Sequence, residues 1–128
     1  MTTRPGIDLV ALDDVREALR AHGERYLRRV FTPHEIAAAG GVEQPDVAVL
    51  ARTFAAKEAL AKALGIEGGP LPWTDVEVRQ SPSGPIELVL TGAAAGLADE
   101  RRIQALTVST TMQGDLAAAI VVAGAEPR

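Results

Sequence analysis

Three charged side chains interrupt a helical run that is otherwise apolar, between Asp46 and Leu64. At 100° per residue this run is apolar on nearly all sides, which predicts a buried helix. Lys57, Glu58 and Lys62 would therefore lie in or at the edge of a protein core. Buried charges are costly unless they are paired or bound to a metal, so these residues are candidates for a chemical role.

Two explanations for Glu58 and Lys62 follow from their spacing. They are four residues apart with the acid first, the order that favours an ion pair worth about 0.2–0.5 kcal/mol on a helix surface. Alternatively, the carboxylate and the ammonium belong to a binding or catalytic site. The periodicity of the helix does not decide between the two.

A further isolated carboxylate lies near the start of the chain. Residues 6–12 alternate like a strand, and Asp8 then shares one face with Val10 and Leu12. Asp8 either reaches water at the entrance of the strand, or it requires a partner charge or a metal ion.

Further elements follow from hydrophobic periodicity and from turn and capping residues. Asp13 is predicted to cap a helix over 14–29, and a capping box that begins at Thr32 opens a short helix over 33–39. Residues 65–70 are predicted to form a flexible turn without the spacing of a phosphate-binding loop. The remaining elements are a hairpin with strands 75–79 and 86–90 around 81–85, a helix over 93–102, and a hairpin with strands 105–110 and 116–123. This order predicts an α+β domain with a mainly antiparallel sheet.

Arginines give the outer side of the predicted 14–29 helix a basic character. Arg16 and Arg20 lie on that side together with Arg25, Arg28 and Arg29. A solvated helix face is one interpretation, and docking of an acidic partner protein is the other, because opposite charges steer association.

Composition narrows the function further. A length of 128 residues predicts one domain over 1–128. A content of 47% hydrophobic but only 3% aromatic residues predicts a core of Ala, Val, Leu and Ile.

The net charge of −4 argues against a nucleic-acid or anionic-membrane binder. The chain has no cysteine, which is compatible with the cytoplasm and excludes thiolate chemistry. Neither a signal peptide nor a membrane span is expected, since no apolar run approaches about 20 residues.

Several sequence blocks carry a resemblance to a known family. They are Gly6-Ile7-Asp8-Leu9-Val10, Val30-Phe31-Thr32-Pro33-His34-Glu35, Phe54-Ala55-Ala56-Lys57-Glu58-Ala59, Lys62-Ala63-Leu64-Gly65, Trp73-Thr74-Asp75-Val76-Glu77-Val78 and Val108-Ser109 with Ala117-Ala118-Ala119-Ile120-Val121-Val122. In this order and spacing they resemble holo-[acyl-carrier-protein] synthase, the small bacterial type of 4′-phosphopantetheinyl transferase.

The resemblance implies a fold and an activity. The fold would be that of the 4′-phosphopantetheinyl transferases, with a mainly antiparallel sheet wrapped on a long central helix. The activity would transfer the phosphopantetheine arm of coenzyme A to a serine of an acyl carrier protein, releasing adenosine 3′,5′-bisphosphate. The family is a homotrimer with active sites at subunit interfaces.

The resemblance also assigns roles to individual residues. Asp8 and Glu58 would bind Mg²⁺, Glu58 would accept the serine proton, and Lys62 would neutralise or protonate the departing phosphate. Lys62, Gly65, Pro85 and Ser109 would contact coenzyme A. Arg16 and Arg20 would dock the acyl carrier protein.

The chain departs from the family pattern outside this centre. Ala11 stands where the family usually has a Glu, and Asp14 stands where it has a carrier-docking Arg. Thr53 replaces an Arg, and Met112 replaces the His of a Ser-x-Ser/Thr-His motif. The basic residue that the family commonly has between Gly84 and Pro85 is missing. Two functions are therefore compatible with the sequence. One is an active transferase, and the other is a catalytically weak relative that binds a carrier protein or a coenzyme A derivative without efficient transfer.

Overall fold

A computed structural model of the chain describes residues 2–66, 71–80 and 84–127. Its helices are α1 (Leu12–His22), α2 (Glu24–Val30), α3 (Pro33–Ala38), α4 (Val47–Leu64) and α5 (Gly92–Glu100), with a short 3-10 helix at Trp73–Asp75. Its strands are β1 (Thr2–Ala11), β2 (Val76–Gln80), β3 (Ile86–Leu90), β4 (Ile103–Gln113) and β5 (Leu116–Ala125).

The strands form two antiparallel sheets. β5 is the central strand of a three-stranded sheet in the order β1-β5-β4, and β2 pairs with β3 in a separate hairpin. The buried apolar side chains of the larger sheet and of α4 belong to one contiguous cluster. The predicted α+β class, with antiparallel strands around a central helix, is confirmed.

Local sequence signals explain why α4 forms where it does. Asp46 accepts hydrogen bonds from the backbone N–H groups of Ala48 and Val49 at the start of the helix. Gly65 ends it in a left-handed conformation with a φ of 76°, which glycine adopts at little cost. Between these caps the helix is buried on most sides, as its apolar composition predicts.

One glycine determines how closely the larger sheet approaches α4. A Cβ atom added to Gly6 of β1 would lie 2.0 Å from the carbonyl oxygen of Ala59 and 2.6 Å from the backbone nitrogen of Ala63. The backbones of β1 and α4 are therefore in direct contact at this point. Asp8 follows two residues later on β1, so the same contact places it beside the last turns of α4.

The predicted continuous helix over 14–29 is wrong. The chain breaks at Gly23, which has a φ of 55° and separates α1 from α2. Asp13 is not the helix cap either, because α1 begins at Leu12, whose N–H donates to the carbonyl of Asp115 at 2.9 Å. This bond to the β4–β5 turn is tertiary, and no local pattern in the sequence predicts it.

The remaining predictions agree with the structure except at element ends. The capping box of α3 is present, with Thr32 as the cap and Glu35 as its partner. Strands β4 and β5 extend beyond their predicted ranges, and β1 begins earlier than predicted but ends at Ala11, because Leu12 is the first residue of α1. The predicted turns at 65–70 and 81–85 lie partly outside the described residues, at 67–70 and 81–83. In the described ranges, no helix is both long and apolar enough to cross a membrane.

Candidate active site

Lys62 and Asp8 meet across the contact between α4 and β1. The Lys62 Nζ lies 2.9 Å from the Asp8 Oδ1, and the two side chains are 30% and 13% exposed. The helical spacing of Lys62 could not predict this partner, because the two residues are 54 positions apart in the chain. The pair lies at the edge of a cavity that Ile7 and Leu9 also line.

Asp8 and Glu58 line a common open cleft. Its volume is about 390 Å³, and its walls come from β1, α1, α2 and α4. Asp14 adds a third carboxyl group to the lining, and Tyr26 and Phe54 add aromatic rings. The cleft therefore combines acidic groups with an apolar wall and is open to solvent on one side.

The aromatic wall is held by two ring contacts. Tyr26 packs edge-on against Phe31 with ring centroids 5.8 Å apart, and Phe54 packs against Trp73 at 5.4 Å. Burial raises the pKa of the Tyr26 phenol to about 12, so this side chain is neutral at physiological pH. Sequence periodicity identified Tyr26 and Phe54 only as apolar positions.

Lys57 has a separate environment inside the protein. Its side chain is fully buried, and its Nζ lies 2.6 Å from the Oε1 of Glu35, whose side chain is 1% exposed. Burial lowers the pKa of Lys57, while the adjacent Glu35 carboxylate acts in the opposite direction. The sequence indicated that Lys57 needs a partner, but not that this partner is Glu35, which also completes the capping box of α3.

Two arginines bind the last carbonyl groups of α4. The Arg4 Nε donates to the carbonyl of Ala63 at 2.8 Å, and the Arg101 Nε donates to that of Leu64 at 2.5 Å. Cations at a helix C-terminus are favourable because the unpaired carbonyls there carry partial negative charge. These contacts hold the end of the helix that carries Lys62 and Gly65.

Comparison with known proteins identifies the family. A family model described as the 4′-phosphopantetheinyl transferase superfamily matches residues 4–121. A holo-[acyl-carrier-protein] synthase of Streptomyces avermitilis is 43% identical over 119 residues, which cover 92% of this chain and 94% of that protein. One from Desulforudis audaxviator is 39% identical over 118 residues, covering 92% and 89%. The chain belongs to the holo-[acyl-carrier-protein] synthase family of 4′-phosphopantetheinyl transferases.

Solved structures support the same assignment. The complex of a Chronobacterium ammoniagenes synthase with coenzyme A matches with a TM-score of 0.84 and 28% identity, covering 99% of this chain and 100% of that one. A Helicobacter pylori synthase in complex with coenzyme A matches with a TM-score of 0.82 and 27% identity, covering 94% and 99%. The family, fold and enzyme class that the sequence blocks predicted are confirmed.

The residues predicted to contact coenzyme A occupy two regions of this synthase-family chain. Lys62 and Gly65 lie at the C-terminal end of α4, and Lys62 pairs with Asp8. Ser109 lies on the outer face of β4 and lines another cavity together with Ile7, and Pro85 is exposed just before β3. Neither Ser109 nor Pro85 lines the cleft that holds Glu58. Their roles stay predictions.

The arginines of α1 and α2 differ in their contacts. Arg16 pairs with Asp13 at 2.7 Å, and Arg20 pairs with Glu17, so both predicted docking residues already have acidic partners on their own helix. Arg25 and Arg29 line a cavity of about 170 Å³ with His22 and Tyr26. The guanidinium group of neither arginine forms a hydrogen bond or an ion pair with another described residue.

The positions that depart from the synthase-family pattern lie in different environments. Asp14 lines the cleft. Thr53 is buried, and its hydroxyl donates to the carbonyl of Val49 at 2.8 Å, so it is satisfied within its own helix. Met112 packs against the hydrophobic core.

The donor set of the cleft fits Mg²⁺. Asp8 and Glu58 offer two carboxylates, and no group of three or more His, Asp or Glu side chains suited to a metal ion occurs among the described residues. Mg²⁺ is commonly held by one or two carboxylates and completes its coordination with water and substrate phosphates. The carboxylates of Asp8 and Glu58 are therefore chemically suited to such a site.

Proposed function

We propose that this chain transfers the 4′-phosphopantetheine arm of coenzyme A to a serine of an apo acyl carrier protein in a Mg²⁺-dependent reaction. The observation that carries the proposal is that Asp8 lines one cleft with Glu58 and pairs with Lys62 at 2.9 Å, in a chain of this family. The curated relatives named above are holo-[acyl-carrier-protein] synthases, and two similar structures contain coenzyme A.

In the proposed reaction the serine oxygen attacks the phosphorus atom that carries the pantetheine arm. A new P–O bond forms to serine, and the P–O bond to the adenosine half of the diphosphate breaks. Glu58 accepts the serine proton, and adenosine 3′,5′-bisphosphate leaves with the electron pair. Lys62 balances or protonates the leaving phosphate from its place one helical turn away from Glu58.

Asp8 and Glu58 are the residues proposed to hold the metal ion. Mg²⁺ would neutralise the charge of the diphosphate, which is a main requirement of phosphoryl transfer. The ion pair between Lys62 and Asp8 keeps the ammonium beside this carboxylate. Lys62, Gly65, Pro85 and Ser109 stay the proposed coenzyme A contacts.

The carrier protein is proposed to dock on the basic side of α1 and α2, through Arg16 and Arg20. Tyr26 connects this side to the cleft, because it lines both the cavity of Arg25 and Arg29 and the cleft of Glu58. A carrier bound there would present its serine to the cleft and to the carboxylate of Glu58. The cytoplasmic location expected from the sequence stays a prediction.

A homotrimer with interfacial active sites is proposed from the outer face of the larger sheet. Ile7, Leu9, Leu116 and Ile120 are 63%, 66%, 46% and 42% exposed, and Ile7 lies directly opposite Ile120 in the sheet. An exposed apolar surface of this kind typically marks an interaction site. Ile7 and Leu9 flank Asp8, so a second copy on this face would border the proposed site.

Intact-protein mass spectrometry tests the transferase directly. Several apo carrier proteins are incubated with coenzyme A, Mg²⁺ and this protein, and we expect one to gain a single phosphopantetheinyl group. Asp8→Ala and Glu58→Gln should stay folded and lose transfer by about 10²-fold or more, because each removes a metal ligand and Glu58 is also the proposed base. Glu43→Ala removes an exposed carboxylate between α3 and α4, outside the cleft lining, and should transfer normally.

Two results would contradict the proposal. Full activity of Glu58→Gln would remove Glu58 from the mechanism. No mass gain on any carrier, with the protein folded and Mg²⁺ present, would favour the weak relative that binds a carrier or a coenzyme A derivative without efficient transfer.

A further inference from the structure

Lys57 is a buried cation that the proposed reaction does not use. Its ammonium group has three donors, and three oxygens surround it. They are the Glu35 Oε1 at 2.6 Å, the carbonyl of Val30 at 2.8 Å and the carbonyl of Trp73 at 3.0 Å. With every donor engaged and no exposed surface, Lys57 cannot bind a substrate phosphate or exchange a proton with one.

Glu35 extends this contact to two further segments. Its Oε1 accepts the N–H of Thr32 at 2.8 Å, which closes the capping box of α3, and its Oε2 accepts the N–H of Val78 in β2 at 2.7 Å. One buried ion pair therefore joins α4 to the end of α2, to α3, to the 3-10 helix and to β2.

The segments joined by this pair also build the wall of the cleft. Tyr26 comes from α2, one turn before Val30, and Phe54 comes from α4, one turn before Glu58. Trp73, whose carbonyl accepts from Lys57, packs its ring on Phe54 at 5.4 Å. A change at Lys57 would alter the rotation of α4 relative to these partners, and Glu58 follows Lys57 directly in the chain.

We propose that Lys57 and Glu35 act as positioning residues, which fix the carboxylate of Glu58 and the aromatic wall in the geometry that binds metal and substrate. The proposal takes the role of Glu58 from the proposed function. Misplacing a catalytic group by about 1 Å can lower a rate by about 10²-fold even when the change lies away from the chemistry, which sets the expected size of the effect.

The test separates positioning from stability. Lys57→Met alone would leave the Glu35 carboxylate buried without a counter-charge, so the principal variant is Lys57→Met with Glu35→Gln, which removes both charges. Glu35→Gln alone is the second variant: glutamine also serves in a capping box, and Lys57, which then lacks its counter-charge, can lose its proton because burial already lowers its pKa. Leu50→Ala is the control, since Leu50 is fully buried on the same helix and does not line the cleft.

Four quantities are measured for each protein: the melting temperature, the affinity for Mn²⁺ with coenzyme A present, the kcat and KM of transfer, and the emission of Trp73, the single tryptophan. We expect both Glu35 variants to lose about tenfold or more in Mn²⁺ affinity and in kcat and to shift the Trp73 emission. Leu50→Ala should lower the melting temperature and retain the other three values.

Two outcomes would overturn the proposal. The first is wild-type Mn²⁺ affinity, kcat and Trp73 emission in the folded Glu35 variants, which would show that the pair only stabilises the fold. The second is a Leu50→Ala protein that loses as much Mn²⁺ affinity and kcat as the Glu35 variants at the same decrease in melting temperature, which would show the same. Absence of Mn²⁺ binding and transfer in the unchanged protein would instead refute the proposed function. The Trp73 emission of the variants would then decide the positioning proposal alone.

Discussion

At the scale of residues, the site depends on side chains that are remote in sequence and adjacent in space. The ammonium of Lys62 and the carboxylate of Asp8 are 2.9 Å apart, although one lies on α4 and the other on β1. Their separation depends on how closely the two backbones approach, and Gly6 permits that approach because it has no Cβ. Gly6 is therefore a structural requirement of the site.

Gly6→Ala should disrupt both stability and the site. The new methyl group would lie 2.0 Å from the Ala59 carbonyl oxygen, so β1 and α4 must separate. We expect a loss of about 1–3 kcal/mol or more in the free energy of unfolding, measured by urea denaturation, together with a large loss of transfer activity.

Gly96→Ala is a matched control for this substitution. Nothing lies within 4 Å of a Cβ added at Gly96 in α5, and alanine favours a helix. This variant should be at least as stable as the original protein. A Gly6→Ala protein with unchanged stability and activity would show that the close approach does not position Asp8.

At the scale of elements, α4 carries the proposed catalytic residues Glu58 and Lys62, and α1 and α2 present the basic surface. The chain leaves the helical conformation at Gly23, so helical periodicity does not continue from the arginines of α1 to those of α2. Arg16 and Arg20 are paired on α1, whereas Arg25 and Arg29 share a cavity beside the cleft. Cations without partners on their own helix are better placed to pair with an acidic carrier.

Charge reversal on the two helices distinguishes their roles in docking. We expect Arg25→Glu with Arg29→Glu to raise the KM for the carrier protein about tenfold or more while the KM for coenzyme A stays unchanged, because opposite charges steer docking. Arg16→Glu with Arg20→Glu should raise the carrier KM by a smaller factor, since both arginines are already partly neutralised.

Steady-state kinetics with varied carrier concentration would measure both effects. Arg102→Glu is a control in the turn between α5 and β4, where the arginine pairs with Glu126. If both double variants had the same KM for the carrier protein as the Arg102→Glu control, the docking surface would lie elsewhere on the molecule.

At the scale of the whole molecule, the larger sheet has one face on the core and an apolar face open to solvent. Val10, Val121 and Ala119 are buried on the inner side, while Ile7 and Ile120 project outward. Burial in an assembly would explain why side chains of this kind occupy the outer face.

Ile120→Asp should dissociate the proposed trimer. A carboxylate buried at the interface would be costly, whereas in an isolated chain this position is 42% exposed and tolerates a charge. Analytical ultracentrifugation should show a trimer for the original protein and monomers for the variant, with transfer activity lost in parallel. Val42→Asp replaces an exposed apolar residue outside the sheet and should remain trimeric. A trimeric Ile120→Asp protein would exclude this face as the interface.

Much of the molecule was determined by local sequence. The caps at Asp46 and Gly65 fixed α4, the capping box at Thr32 fixed the start of α3, and period-two alternation placed Ile7 and Asp8 on opposite faces of β1. These features depend on residues within a few positions of one another, so the sequence pattern contains them. The charged residues of the apolar helix likewise marked the site before any partner was known.

The tertiary structure alone decided which groups meet. Lys57 pairs with Glu35 and Lys62 with Asp8, although each lysine lies in the same helix and each needed a counter-charge. The choice depends on the packing of β1 and α3 against different sides of α4, with contacts between residues 22 and 54 positions apart. The sequence pattern indicates that a buried charge requires a partner, and only the packed fold determines which residue that partner is.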